Sequence, residues 1–352
     1  MKIAIVGGGV MGCATALALA ARGAEAVVLE RAVPGAEASS AAAGMLGAQA
    51  ELHGRRRDDE AVLFTRARAA WGPWARELRE ATGIDVGHRV SGVVRIALAE
   101  AERDDLAADV SWQQTLGLRA SFLDSHDARA IEPEITPAAL AAAFFPDDAQ
   151  VDPSVLLRAL VAAAARSTRI KIRSGATVQG LIVEGDRCVG VRLDDDELRA
   201  DATVLAAGSW SSLVPGVPAS LPAVRPVRGQ LVMLDERPPR LRTIVFGAGG
   251  YVVPRGDGRV ICGSTMEHAG FRKEVTASGL NAILSGAVAC APSLGAAQFV
   301  SAWSNFRPHV EGDNPLIGAS SLPGLFLATG HHRNGILLSK LTADTVATAI
   351  LG

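Results

Sequence analysis

Lysine is almost missing from this chain: four of its 35 basic residues are Lys, at positions 2, 171, 273 and 340, and the rest are Arg. The formal net charge is only −2. No basic patch and no charge excess therefore point to a nucleic acid or a membrane as partner. Cysteine is also sparse. Cys13, Cys188, Cys262 and Cys290 show no CxxC spacing, which argues against a disulfide framework and leaves four reduced thiols, as expected in the cytosol. No metal site is read from the sequence. Uncharged apolar runs are short, none approaching the ~18 residues of a membrane span. The run after Lys2 is cut by three glycines well before it could serve as the core of a signal peptide. A soluble, cytoplasmic protein is expected.

What is present begins at once. With 352 residues, 49% of them hydrophobic, the chain has length for two domains, each with its own core. Its first thirty residues contain KIAIVGGGVMGCATALALAARGAEAVVLE. An apolar strand breaks into glycines, a helix follows, Gly23 ends it, and a second apolar strand closes on Glu30. Gly7, Gly9 and Gly12 occupy the GxGxxG positions. The first permits a tight turn, the second lets backbone approach a pyrophosphate, and the third lets helix and sheet pack closely. The helix N-terminus offers unpaired N–H groups to phosphate oxygens. Glu30, about 20 residues on, can accept hydrogen bonds from ribose hydroxyls. This is a dinucleotide-binding βαβ unit that leaves NAD and FAD undistinguished.

Further along, residues 39–50 (SSAAAGMLGAQA) form a run of small side chains, and 53–60 (HGRRRDDE) reads as a solvated charged loop. Leu63, Ala67, Trp71, Trp74 and Leu78 mark one helix face, bent at Pro73 and serving as core rather than ligand platform. A strand at 93–98 and a polar helix at 100–116 come next. Asp152 is an N-cap with Pro153 at the first helical position. Segments 170–173, 176–183 and 188–193 suggest a meander. A buried strand at 202–207 ends in Gly208, a place where a ligand can approach backbone. Prolines from 215 to 226 suggest a domain crossing. Strands are expected at 230–234, 250–254 and 260–263, with a helix at 277–289 and a last strand ending at Trp303. The region closes at Arg307-Pro308. Residues 325–329 return as a buried strand, followed by GHHRNG and a final helix over 336–351.

Seven ordered stretches carry a family likeness: VGGGVMG, SSAAAGML, VLAAGSW, RPVRGQ, YVVPRGDGRVICGSTMEHAGF, FRP and ATGHHRNGILL. The chain resembles the D-amino-acid oxidase superfamily of flavoenzymes, within it most like the glycine oxidase branch linked to thiamine biosynthesis. The resemblance implies an α/β fold with a Rossmann-like, glutathione-reductase-like FAD-binding domain over 1–84, 146–220 and 312–352. A second α+β substrate domain, on a largely antiparallel sheet, would take 85–145 and 221–311. It also implies a non-covalent FAD, since no Cys follows Cys290 to serve as the flavin link of covalent relatives.

The same resemblance assigns site residues. Gly7, Gly9, Val10, Met11, Gly12, Glu30 and Arg31 would hold the adenosine and pyrophosphate. Ser39, Ser40, Ala43, Gly44, Met45 and Leu46 would line the rest of the cofactor, with Val178, Ala207, Gly208 and Trp210 beside it. His332, Arg333, Asn334, Gly335, Ile336, Leu337 and Leu338 would lie against the flavin. Arg307 would bind the substrate carboxylate with Tyr251 in support, Met266 would line the pocket and Arg333 its mouth. His331 and His332 are read as shaping the cofactor loop rather than as catalytic bases. The implied reaction is FAD-dependent oxidative deamination of glycine or a similar small amino acid. It would pass hydride to flavin N5, yield an imine and reduce oxygen to hydrogen peroxide, with thiazole synthase as a partner and a homo-oligomer as the assembly. The alternatives are a sarcosine oxidase, a D-amino-acid dehydrogenase, or a non-catalytic FAD-binding protein.

Overall fold

The structure is a computed structural model that describes residues 1–247 and 249–352. Strand β1 (Lys2–Val6), helix α1 (Val10–Ala21) and strand β2 (Glu25–Glu30) form the opening unit. β1 and β2 pair in parallel, with Ile3 opposite Ala26. Ile3 to Val6 are all buried, as a parallel strand covered on both faces requires.

Around β1 a six-stranded sheet assembles in the order Leu316–Ala319, Leu325–Thr329, Ala202–Leu205, β1, β2, Ile170–Ser174. Its strands are parallel except the first, which runs antiparallel at the edge. Strand Ile170–Ser174 thus belongs to this sheet and not to the expected meander. The meander consists of Gly180–Glu184, Arg187–Arg192 and Glu197–Arg199, its first strand beginning four residues later than expected. Helix Pro153–Arg166 is capped as read: Asp152 Oδ1 accepts from the N–H groups of Ser154 (3.1 Å) and Val155 (3.3 Å). It packs on α1, as does the final helix Gly335–Leu351.

The second sheet has eight strands in the order Gln298–His309, Arg225–Asp235, Arg259–Gly263, Gly250–Pro254, Ile244–Gly247, Val93–Ala97, Ala141–Phe145, Ser121–Asp124. Every pair is antiparallel except Ile244–Gly247 with Val93–Ala97. Ile283, Ala287 and Cys290 of helix Ala277–Cys290 pack on one face against Val232, Val252 and Cys262. Leu106 and Val110 of helix Glu100–Thr115 cover the other. The strand expected to stop at Trp303 runs on to His309, so Arg307 lies within it.

The stretch read as one bent helix is two, Asp58–Ala69 and Trp71–Thr82, meeting at Ala70. Pro73 sits in the first turn of the second, where its missing N–H costs no intrahelical bond. The charged stretch 53–60 is an exposed loop only through residue 57, and it is tied down at several points. Asp58 to Glu60 begin the first helix, Glu60 is buried, and Arg55 and Arg56 pair with Asp313 and Asp109.

Two polar contacts tie down the final helix. The fully buried Trp71 donates from Nε1 to the Leu337 carbonyl at 2.9 Å. Buried His331 meets Thr342 Oγ1 through Nε2 at 2.9 Å. Trp71→Ala is expected to cost about 3–5 kcal/mol in urea unfolding; a loss below about 1 kcal/mol would mean the helix is held elsewhere. Burial pushes the His331 pKa from 6.5 down to about 3. A depressed folded-state pKa gives stability that is present above 6.5 and lost as pH falls toward 3. The urea midpoint should therefore drop more steeply below pH 6.5 in the wild type than in His331→Gln, and equal slopes would contradict the buried neutral ring.

Candidate active site

At the start of α1 the glycines are fixed by contact. Gly7 has φ +109°, and a Cβ there would stand 2.4 Å from the Ala206 carbonyl oxygen. A Cβ on Gly12 would stand 1.9 Å from the carbonyl oxygen of Gly7. Gly12 accordingly lies under the turn, whereas Gly7, Gly9, Val10 and Met11 line the main cleft. Gly9 is the N-cap of α1 without a side-chain cap, and the first turn holds no acid. The helix dipole is therefore left unneutralised toward the cleft. The Glu30 carboxylate is held at the cleft wall: Oε2 accepts from Gly8 N–H at 2.8 Å and Oε1 from Ala32 N–H at 2.9 Å. Arg31 stacks on Trp210 at 4.0 Å, and both line the cleft with Val178, Ala207 and Gly208.

The cleft continues past Ser39, whose Oγ accepts from Val10 N–H at 3.0 Å, and past Ala43, Gly44 and Met45. At its far end lie Asn334, Gly335 and Ile336, the start of the final helix. This helix too has no side-chain cap and no acid in its first turn. Two helix N-termini with no acid in their first turns thus face one cavity, and they can meet negative charge at two points along one ligand. Four expected lining residues lie elsewhere. The side chains of Leu46, Leu337 and Leu338 pack into the first sheet's core, because they sit on the covered side of their elements. Ser40 lines a neighbouring pocket and donates to the Gly35 carbonyl at 2.6 Å.

The other side of the cleft is built by the second sheet. Arg307 pairs with Val227 in the ladder and donates to the Thr265 carbonyl (3.1 Å) and to Ser264 Oγ (2.6 Å). Among the described residues no carboxylate forms an ion pair with it. A Cβ on Gly229 would stand 2.3 Å from Arg307 Nη1, and one on Gly263 would stand 2.6 Å from the Tyr251 hydroxyl. Both glycines therefore make room for the Arg307 and Tyr251 side chains. Burial raises the Tyr251 pKa, only partly offset by the Arg307 charge, so the phenol stays protonated. Arg333 lines the cleft but is neutralised by Glu51 at 3.2 Å. Met266 is 55% exposed and lies outside the cleft. The chain turns there because Glu267 bridges back to Arg228. Burial also lowers the His332 pKa to about 4, against the opposing pull of Asp313, so both histidines are neutral at physiological pH.

The structure adds lining residues that the motifs did not single out, among them Glu51, Thr177, Gly229, Ser264 and Asn305. Gly229 and Ser264 stand inside two of the stretches that carry the family likeness, and their position was the available signal. Glu51 is visible only through its contact with Arg333.

A family profile described as FAD dependent oxidoreductase matches residues 2–349. Glycine oxidase of Geobacillus kaustophilus is 36% identical over 359 residues, covering 99% of this chain and 92% of that protein. Glycine oxidase of Pseudomonas putida is 31% identical, covering 100% of this chain and 94% of that protein. A protein of Nostoc named bifunctional protein ThiO/ThiG is 35% identical over 99% of this chain but only 52% of its own length. Among solved structures, glycine oxidase from Geobacillus kaustophilus superposes with a TM-score of 0.94 at 35% identity, covering 99% of this chain and 94% of that one. The paired helix N-termini, the glycine turn and the fixed Glu30 carboxylate suit an adenine dinucleotide, and with these matches the cofactor is FAD. The chain belongs to the DAO family of FAD-dependent oxidoreductases.

Proposed function

We propose that the protein oxidatively deaminates glycine or a similarly small amino acid. The observation that carries this reading is the Arg307 guanidinium, satisfied only by neutral oxygens at the cleft and standing opposite the protonated Tyr251. A planar fork with no carboxylate of its own is a receptor for a ligand's carboxylate. The glycine oxidases named above support a small amine substrate. FAD, held by the cleft residues, would supply the two-electron acceptor for converting the amine to an imine, with oxygen as the final acceptor and hydrogen peroxide as its product.

In this reading Arg307 orients the substrate by its carboxylate and the Tyr251 hydroxyl donates to the same group. The amine reacts in its unprotonated form, so no side-chain base is required. That agrees with His331 being engaged by Thr342 and with burial making both imidazoles weak proton acceptors. Glu30 would hold the ribose, and the N-termini of α1 and the final helix the pyrophosphate and the flavin. No cysteine is among the residues lining the cleft and all four are buried, which supports a non-covalent FAD. Sheet membership supports the two-domain division: the six-stranded sheet draws only on 1–84, 146–220 and 312–352, and the eight-stranded one only on 85–145 and 221–311. The ThiO/ThiG relatives, of which this chain spans about half, support thiazole synthase as the partner that takes the imine. Among the described residues no helix is long and apolar enough to cross a membrane.

Anaerobic mixing with glycine, sarcosine and small D-amino acids, followed at the flavin absorbance, tests the activity; bleaching by none of them would leave only a non-catalytic FAD-binding protein. Oxygen consumption set against dye reduction then separates an oxidase from a dehydrogenase. Arg307→Ala should raise KM by the equivalent of about 1.5–3 kcal/mol, the worth of a hydrogen bond to a charged group, and unchanged glycine kinetics would place the carboxylate elsewhere. Glu30→Ala should lower the flavin content that survives gel filtration, whereas full retention would remove Glu30 from the ribose.

A further inference from the structure

Where His332 forms part of the cleft wall lies a cluster whose imidazoles and carboxylate are given no chemical step in the reaction above. His309 ends the strand carrying Arg307, Asp313 follows in the next turn, and His332 opens the loop before the final helix. The two segments are held together by the His309–His331 bridge. Gly330 adds to this closeness, since a Cβ there would stand 2.6 Å from Val310 Cγ2. The imidazole rings of His309 and His332 meet edge to face with centroids 4.8 Å apart.

We propose that His309, Asp313 and His332 form a site for a divalent transition-metal ion, with three protein ligands and a further position open to water. One donor atom from each residue lies within 4.8 Å of the other two. Asp313 Oδ1 is 3.4 Å from His309 Nε2 and 2.9 Å from His332 Nδ1. Tetrahedral coordination with bonds of about 2.0–2.1 Å sets its ligands about 3.4 Å apart, a spacing that Asp313 Oδ1 already approaches with each imidazole.

The cluster is also unfinished as a hydrogen-bonding network. Asp313 Oδ1 is buried and has no hydrogen-bond partner despite its two close nitrogens, and His332 Nε2 is buried without one too. The His332 side chain is only 9% exposed, so water does not readily supply what is missing. Arg55 occupies the other carboxylate oxygen of Asp313, which steadies that side chain and leaves Oδ1 for the metal. Access is open, because the His309 and Asp313 side chains are 26% and 27% exposed.

Backbone strain falls at the same place. Only three non-glycine residues among those described have left-handed φ, and two are Asp313 (+59°) and His332 (+47°). Such conformations persist where a site requires them. Two imidazoles and one carboxylate suit Zn²⁺ or Cu²⁺ better than Mg²⁺ or Ca²⁺. Metal on Nδ1 would fix the His332 tautomer with its hydrogen on Nε2, a donor at the cleft wall.

This inference does not rest on the substrate reading, and its test does not use turnover. Untagged, chelator-treated holoenzyme is titrated with Cu²⁺ and followed by electron paramagnetic resonance, where the oxidised flavin is silent. One equivalent per chain, with nitrogen coupling in the spectrum, is expected, and Zn²⁺ should displace it. His309→Ala should abolish the nitrogen-coupled signal, and Asp313→Asn should weaken binding by at least about tenfold. Flavin content and circular dichroism report whether either variant has failed to fold, and one folded variant suffices. No stoichiometric binding, binding untouched by both changes, or a signal lost instead in His126→Ala at the exposed Asp124–His126–Asp127 cluster would each overturn the site.

Discussion

The fold depends on two missing methyl groups. Gly7 lets the turn after β1 press against the Ala206 carbonyl, and Gly12 lets α1 rest on the carbonyl of Gly7 itself. A side chain at either position would lift the helix from the sheet. Because α1 lies that close, it offers a flat apolar flank on which helices Pro153–Arg166 and Gly335–Leu351 both pack. The final helix can then bring its N-terminus to the cleft that α1 also faces.

The second sheet uses glycine in the same way for a different end. Gly229 and Gly263 are spaces into which Arg307 and Tyr251 fit. Arg307 differs in kind from Arg228, a neighbour in the same pair of strands. Arg228 is buried and pairs with both Glu267 and Glu274, so its charge is spent inside the protein. Arg307 receives only a carbonyl and a hydroxyl. A half-buried cation left without a counter-charge would be stabilised by an anionic ligand, and this contrast with Arg228 is what the proposed carboxylate-binding role rests on.

Local chemistry was legible in the sequence wherever it was contained in one stretch. The opening βαβ unit, the Asp152 cap and the return of the chain to the first sheet at 325–329 all follow from residues close together. Strand Ile170–Ser174 alternates in exposure as a meander strand does, yet it is the outer strand of the parallel sheet, which alternates as well. The strand expected to end at Trp303 continues through Arg307 and Pro308 to His309. In the fold Pro308 stands opposite Pro226. Its strand lies at the sheet edge, and the partner strand meets its other neighbour only from Leu231 onward, so neither proline leaves a ladder bond unmade. Met266 lay within a matched motif, but a motif fixes position along the chain and not the direction of a side chain.

The charged stretch 53–60 shows why the rest was not legible. Composition gives the sign of charges and says nothing of their partners. Asp109 is buried within helix Glu100–Thr115. Burial alone would raise its pKa, but hydrogen bonds from His53 and Arg56 outweigh it and hold the carboxylate ionised. Removing those two would strand a charge in the core, so the stretch, though largely exposed, also serves as a buttress. Arg55 reaches Asp313, 258 positions away, and Glu51 just before it neutralises Arg333 at the cleft. A short run of ordinary surface composition therefore joins the cleft wall, the helix over the second sheet and the turn after Arg307, through acids that only the fold brings near.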